Sequence, residues 1–295
     1  MQGFGHLLTA MVTPFKEGGG VDCSKAAELA SRLLDSGSDG IVVAGTTGES
    51  PTLSFDDKVE LFKAVAEAVG GRGVVLAGTG SYSTQDTIAL TKAAEKVGVD
   101  GIMLVVPYYN KPPQSGLYSH FKQIAEQTAL PIMLYNIPSR TSVNLLPETV
   151  AKLAQIDNII AIKEASGNLG QVARLFQITP DDFYIYSGDD SLTLPVMSVG
   201  GIGVVSVAAH VVGRSIREMI DSFLGGKVKE AAEINRKLLP LFDALFVTTN
   251  PIPIKTAVNL LGGEVGSVRS PLVEPSAEEI GIIKQALKKV GLLDL

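Results

Sequence analysis

The sequence predicts a (β/α)8 barrel, eight parallel strands each followed by a helix, with a C-terminal helical domain beyond it. Three observations carry this prediction. Short apolar runs alternate eight times with amphipathic, capped segments. The runs are apolar throughout, as expected of strands covered on both faces. The spacing is regular, with Pro107, Tyr135 and Lys163 standing 28 residues apart near the ends of successive runs. An internal echo adds to it: Gly37-Ser38-Asp39-Gly40-Ile41 and Gly98-Val99-Asp100-Gly101-Ile102 both lead from a helix into a strand. A doubly wound open sheet is the alternative, but Gly78-Thr79-Gly80 lacks the third glycine of its phosphate fingerprint.

Residues 6–13 read as the first strand. Asp22 caps a helix to about residue 36, ended by Gly37. Strand 40–45 follows, then a helix to about residue 69 with Ser54 as cap and Asp56 and Asp57 in its first turn. Strand 73–78 leads to a helix that starts at Ser83 or Thr84 and runs through Lys96. Strand 101–107 is followed by helix 115–128. Strand 131–135 is followed by a helix beginning near Pro147, a good first helical residue. Strand 159–163 precedes helix 168–178, and strand 183–187 a short helix over 191–199. Strand 201–207 and helix 215–224 complete eight units. Segments 227–246, 252–261 and 277–290 are helical without strands between them. The expected division is a barrel over 1–225 and a helical domain over 226–295.

Composition narrows the function. With 295 residues, 45% hydrophobic and 19% charged, the chain has the makings of a large core rather than disorder. A net charge of −6 without a basic run gives no footprint for nucleic acid. No apolar stretch has the length of a membrane span. Met1-Gln2-Gly3-Phe4-Gly5-His6 lacks the regions of a signal peptide, and Cys23 is a lone cysteine, so a reducing cytoplasm is expected. His6, His120 and His210 are scattered, read as structural, and suggest no metal site.

The chemistry centres on Ile159-Ile160-Ala161-Ile162-Lys163-Glu164-Ala165-Ser166. Burial disfavours the ammonium of Lys163 and favours the free amine, which attacks carbonyls to form imines. The plain alternative is a lysine that snorkels to water or pairs with Glu164. Strand alternation weighs against the pair, since neighbours point to opposite faces. In a barrel the chemistry lies at the carboxyl ends of the strands. Gly45-Thr46-Thr47-Gly48-Glu49-Ser50, Pro107-Tyr108-Tyr109-Asn110, Tyr135-Asn136-Ile137-Pro138-Ser139-Arg140 and Gly188-Asp189-Asp190 stand there with Lys163. The Thr-Thr-Gly turn offers hydroxyls and N–H groups to a carboxylate. A tyrosine can move protons during imine formation, and an arginine can grip a second carboxylate. Each has an ordinary explanation alone, in rim packing or helix capping. Together they describe a site for a small keto acid that forms an imine.

These motifs, with Val106-Pro107-Tyr108-Tyr109-Asn110-Lys111-Pro112 and Asn250-Pro251-Ile252-Pro253-Ile254-Lys255, resemble the dihydrodipicolinate synthases (4-hydroxy-tetrahydrodipicolinate synthases). That family belongs to the pyruvate-dependent class I aldolase superfamily, which includes N-acetylneuraminate lyase. The resemblance covers essentially the whole chain. It implies a Schiff base between Lys163 and pyruvate, whose enamine adds to L-aspartate-4-semialdehyde in the diaminopimelate route to lysine. It implies no metal or organic cofactor. Tyr135 is then the proton donor and acceptor, linked by Thr46 to Tyr109. Tyr109 comes from the partner subunit of a homo-oligomer, a dimer of dimers. Thr47 holds the pyruvate carboxylate, Gly188 and Val205 line the pyruvate pocket, and Arg140 receives the carboxylate of the aldehyde. Two rivals stand beside this. A sibling aldolase for sialate or a keto-deoxy sugar acid is disfavoured by Arg140 and Thr46-Thr47. A keto-acid sensor without turnover is disfavoured by Lys163, Tyr135, Thr46 and Tyr109 occurring together.

The resemblance also implies a regulatory lysine site at Ser50, Pro51, Phe55, Lys58, Tyr82, Asp86 and Tyr108. Ser50 and Tyr108 match the strongly inhibited pattern. Phe55 and Lys58 replace two histidines, Tyr82 an asparagine and Asp86 a glutamate. Lys58 repels a cationic ligand and Asp86 is one methylene short, so weak inhibition by lysine is expected.

Overall fold

The computed structural model describes residues 3–294. Among them, eight short parallel strands close into a barrel in sequence order: β1 (Leu7–Ala10), β2 (Gly40–Val43), β3 (Val74–Gly78), β4 (Gly101–Val105), β5 (Ile132–Asn136), β6 (Ile159–Glu164), β7 (Tyr184–Ser187) and β8 (Gly203–Ser206), with β8 paired to β1. Two apolar layers account for the unbroken hydrophobic runs. Leu8, Val42, Leu76, Met103, Met133, Ala161 and Val205 fill the barrel interior. Leu7, Ile41, Val75, Ile102, Leu134, Ile162 and Val204 belong to the outer core against the helices.

The surrounding helices are α1 (Cys23–Asp35), α2 (Phe55–Val69), α3 (Thr84–Lys96), α4 (Gln114–Ala125), α5 (Pro138–Thr141), α6 (Pro147–Leu153), α7 (Leu169–Ile178), α8 (Thr193–Ser198) and α9 (Ala209–Leu224). Their starts follow local chemistry. Asp22 accepts the N–H of Lys25 at 3.0 Å. Ser54 and Asp57 form a reciprocal capping box at the start of α2, and Ser83 caps α3.

Two expectations need correction. The last barrel helix begins at Ala209 rather than at residue 215, with a break at Val212. The turn leading into it is held from a distance, Val207 and Ala208 donating their N–H groups to Asp190 Oδ2 at 2.9 and 3.0 Å, while Ala209 donates locally to Ser206 Oγ at 2.9 Å. Also, the segment after β5 contains the single turn α5, too short to show a helical period.

The tail forms α10 (Val228–Ala244), α11 (Ile252–Leu260) and α12 (Ala277–Lys289). Leu241, Ile254, Ile283 and Leu287 join the core cluster that holds Ile216 and Ile220 of α9. The loops that flank α11 lie over the carboxyl ends of the strands, close to the Thr46–Thr47 turn.

Candidate active site

Strand pairing sets Lys163 of β6 directly against Tyr135 of β5. The Lys163 Nζ lies 4.3 Å from the centroid of the Tyr135 ring. Lys163 is 5% exposed. Burial pulls its pKa down to about 8; the Asp190 carboxylate opposes this and the Arg140 guanidinium adds to it. Glu164 takes no part in charging it. That carboxylate sits outside the barrel, accepting from Asn136 Nδ2, Gln171 Nε2 and the Ser166 N–H. The lysine is therefore neither snorkelled to water nor paired with its neighbour.

The other side chains converge on the same end. Thr46, Tyr135 and Arg140 line a cavity of about 230 Å3 with Gly45, Ser50 and Tyr108. Burial raises the pKa of the Tyr135 phenol, against the Thr46 hydroxyl and Arg140, which lower it. Thr47 is buried, and its Oγ1 accepts from Asn250 Nδ2 at 3.0 Å, which leaves its own O–H to donate. Gly188 is a glycine because of close approach: a Cβ there would stand 2.6 Å from Ala165 Cβ and 3.1 Å from Lys163 Cε. Val205 is buried in the same interior cluster as Tyr135.

A model of the dihydrodipicolinate synthetase family matches residues 3–290. The chain belongs to the dihydrodipicolinate synthetase family. It is 59% identical over 290 residues to the 4-hydroxy-tetrahydrodipicolinate synthase of Desulforudis audaxviator, spanning 98% of this chain and 99% of that one. The structure of the family's Cyanidioschyzon merolae enzyme with lysine bound superposes with a TM-score of 0.97 at 52% identity, over 98% of this chain and 99% of that one. The Bacillus anthracis dihydrodipicolinate synthase superposes at 0.95 and 49% identity, over 98% and 99%. Membership makes the chain a carbon–carbon bond-forming lyase of the Schiff-base aldolase type. Its reaction is the condensation of pyruvate with L-aspartate-4-semialdehyde on the diaminopimelate route to lysine.

Of the residues that the family motifs single out, Tyr109 stands apart. It is 92% exposed on the loop after β4, in the left-handed region with φ 70°. Its neighbour Tyr108 lines the 230 Å3 cavity and packs edge-on against Tyr82 at 5.3 Å between centroids. The seven regulatory candidates all line a second cavity of about 480 Å3, which shares Ser50, Pro51 and Tyr108 with the first. Burial lowers the pKa of Lys58 there.

Sequence reasoning named two residues of the site without giving either a role. Asn250 donates to Thr47 through its amide, and its backbone carbonyl accepts from Arg140 Nη2 at 3.2 Å. Asp190 acts on Lys163 by charge while holding the turn that leads into α9. Asn250 stands in a motif that resembles the family, yet nothing local signals its reach into the barrel.

Two of the histidines hold backbone, and the third meets a side chain. His6 Nδ1 meets the Ile202 carbonyl at 2.7 Å, and His210 Nδ1 meets that of Val207 at 2.8 Å while Nε2 accepts from the Val12 N–H at 3.1 Å. His120 Nδ1 lies 2.9 Å from the Thr84 hydroxyl. Burial pushes the pKa of His120 and His210 down to about 4. Among the described residues no group of three or more His, Cys, Asp or Glu side chains could hold a metal ion, and no helix is long and apolar enough to cross a membrane.

Proposed function

We propose that Lys163 is the amine through which this lyase works, with Tyr135 as its proton carrier. The observation that carries the reading is the buried Lys163 Nζ beside the Tyr135 ring, with its pKa lowered to about 8. Nζ attacks the C2 carbonyl of pyruvate, and the Tyr135 phenol passes the protons that let water leave. The positive imine nitrogen accepts electrons as a proton leaves the methyl group, giving an enamine. The enamine carbon attacks the aldehyde, whose oxygen takes a proton. The amine of the second substrate then attacks the imine carbon, Lys163 leaves, and the ring closes. The iminium nitrogen supplies the electron sink, so the reading calls for no metal or organic cofactor.

Thr47 holds the pyruvate carboxylate, and the backbone near Gly188 and Val205 lines the pyruvate pocket. Arg140, braced by the Asn250 carbonyl, receives the carboxylate of the aldehyde substrate. Thr46 relays protons from Tyr135 to Tyr109 of a second copy. The exposure of Tyr109 on a lone chain supports a site completed by a dimer, within a dimer of dimers. Residues 1–225 carry the chemistry, and 226–295 form a helical domain that braces it. A free Cys23 and net charge of −6 fit a cytoplasmic enzyme.

The 480 Å3 cavity is read as a weak lysine site. The Cyanidioschyzon merolae structure has lysine bound. Here the half-buried Lys58 lines the cavity together with Asp86, and a second cation entering it is repelled by Lys58.

Borohydride reduction with pyruvate tests the central assignment. The parent should carry one reduced pyruvate adduct on Lys163 by peptide mass spectrometry, and Lys163→Ala none. An adduct on another lysine overturns the reading.

A further inference from the structure

We propose that Glu164 is a positioning residue for the aldehyde subsite: through Asn136 and Asn144 its buried carboxylate closes the loop that carries Arg140. The proposal rests on the assignment of Arg140 made above.

Glu164 is 3% exposed, on the face of β6 opposite Lys163. Ile162, two residues earlier, is apolar and packs in the helix layer. A carboxylate there must be held by donors, and three neutral ones converge on it. Asn136 Nδ2 and Gln171 Nε2 reach Oε2 at 2.9 and 3.0 Å, and the Ser166 N–H reaches Oε1 at 2.6 Å. Bonds to an ionised acceptor are the stronger kind, and a carboxylate only accepts. It therefore fixes which end of the Asn136 amide faces it.

That choice is passed on. With Nδ2 turned to Glu164, Asn136 Oδ1 accepts the Leu145 N–H at 2.9 Å, and Nδ2 also reaches Asn144 Oδ1 at 2.8 Å. Asn144 Nδ2 in turn donates to Gln171 Oε1 at 2.8 Å. One side chain thus knots both ends of the segment between Asn136 and Leu145. That segment contains α5, and α5 contains Arg140. The Glu164 carbonyl meanwhile accepts the Gly188 N–H at 2.8 Å. Tyr135 and Lys163, each one residue before a member of the network, are gripped by the barrel ladder itself. The network is therefore assigned to the loop and to the second substrate.

The test uses the whole enzyme and three variants. Glu164→Gln keeps the shape but turns an NH2 against an N–H donor. Asn144→Ala removes one of the two ties at a half-buried position, keeps the Leu145 N–H on Asn136 Oδ1, and leaves Glu164 with its three donors. Glu164→Gln/Gln171→Glu restores one carboxylate and one amide. Two quantities are read, the hydrogen exchange of the peptide spanning 137–145 and the KM of each substrate. For the first two variants we expect exchange about tenfold faster, KM for aspartate semialdehyde raised about tenfold, and KM for pyruvate within about twofold. The swap should recover much of both losses. Unchanged exchange in Asn144→Ala overturns the proposal, whatever the activity. A uniform loss in both substrates that follows the folded fraction, without recovery in the swap, also overturns it. Faster exchange with an unmoved aldehyde KM overturns the link to specificity. A parallel Arg140→Ala then tells whether the reading of Arg140 fails with it.

Discussion

At the scale of the residue, Lys163 has two opposed properties. The free amine that attacks a carbonyl is favoured by burial, and the same burial lowers stability. The unfolded chain holds the lysine proton up to about pH 10.5, the folded chain only to about 8. Between those values the unfolded state binds more protons, so this contribution to stability rises with pH; near pH 7 the group costs about 3 kcal/mol. Lys163→Met should therefore be inactive and yet melt a few degrees above the parent, measured by differential scanning calorimetry. A lower melting temperature would show that the amine is well accommodated when charged. With Lys163 as the proposed amine, catalysis should follow the same ionisation. At subsaturating pyruvate, the rate of imine formation should rise about tenfold per pH unit below pH 7 and level off above about pH 8.5. Stopped-flow trapping across pH 5.5–9.5 reads it, and a flat profile removes the lysine ionisation from the mechanism. Tyr135→Phe should lower kcat far more than it raises the KM for pyruvate, because a phenol that carries protons contributes little to binding.

At the scale of the element, the strands deliver chemistry and the caps deliver stability. Gly188 follows β7 and packs against the stem of Lys163. Gly188→Ala inserts a methyl where 2.6 Å is available, so something must shift. The expected outcome is a slowed imine step with a modest loss of stability, read by trapping rate against melting temperature. Ser54→Ala is the contrast. It removes one half of the α2 capping box and should lower stability by about 1 kcal/mol, leaving kcat untouched. A change in kcat there would mean that α2 strain reaches the Thr46 turn.

At the scale of the whole molecule, the tail is wired into the barrel. Lys255 Nζ of α11 lies 2.8 Å from Glu49 Oε1, with side chains 2% and 1% exposed, and donates to the Ser267 carbonyl at 2.7 Å. The Arg269 N–H reaches Glu49 Oε2 at 2.8 Å. Glu49 is held at φ 56°, two residues after Thr47. Lys255→Met leaves that carboxylate buried without its cation and should cost about 3–5 kcal/mol, read as a shifted urea midpoint. Because the tail shares the barrel's core, far-ultraviolet dichroism and tyrosine fluorescence should report one transition. Two separated transitions would show a tail that folds alone. Between subunits, mixed Tyr109→Phe and Lys163→Ala chains should regain part of the activity that each lacks. Confirmed mixed dimers without activity would place Tyr109 outside the site. L-lysine should inhibit weakly, and half-inhibition below about 1 mM near KM for both substrates would contradict the reading of Lys58 and Asp86.

What the chain determined by itself is what short-range pattern encodes. Burial on two faces makes each strand an unbroken apolar run, and caps are chosen by residues three apart. The order of elements, the start of α2 at Ser54 and the burial of Lys163 were therefore legible from neighbours alone. Family motifs suggested the roles proposed for Thr46, Thr47, Tyr135 and Arg140, with no account of what holds them. The early start of α9 was not read: beside the local Ser206–Ala209 bond, the turn leading into it is held by Asp190 across 17 and 18 residues. Asn250 meets Thr47 across 203 residues and Arg140 across 110. Only closure of the barrel brings such groups together. A hydrogen bond depends on angstroms in space, and at those separations along the chain no periodicity records which donor will find which acceptor.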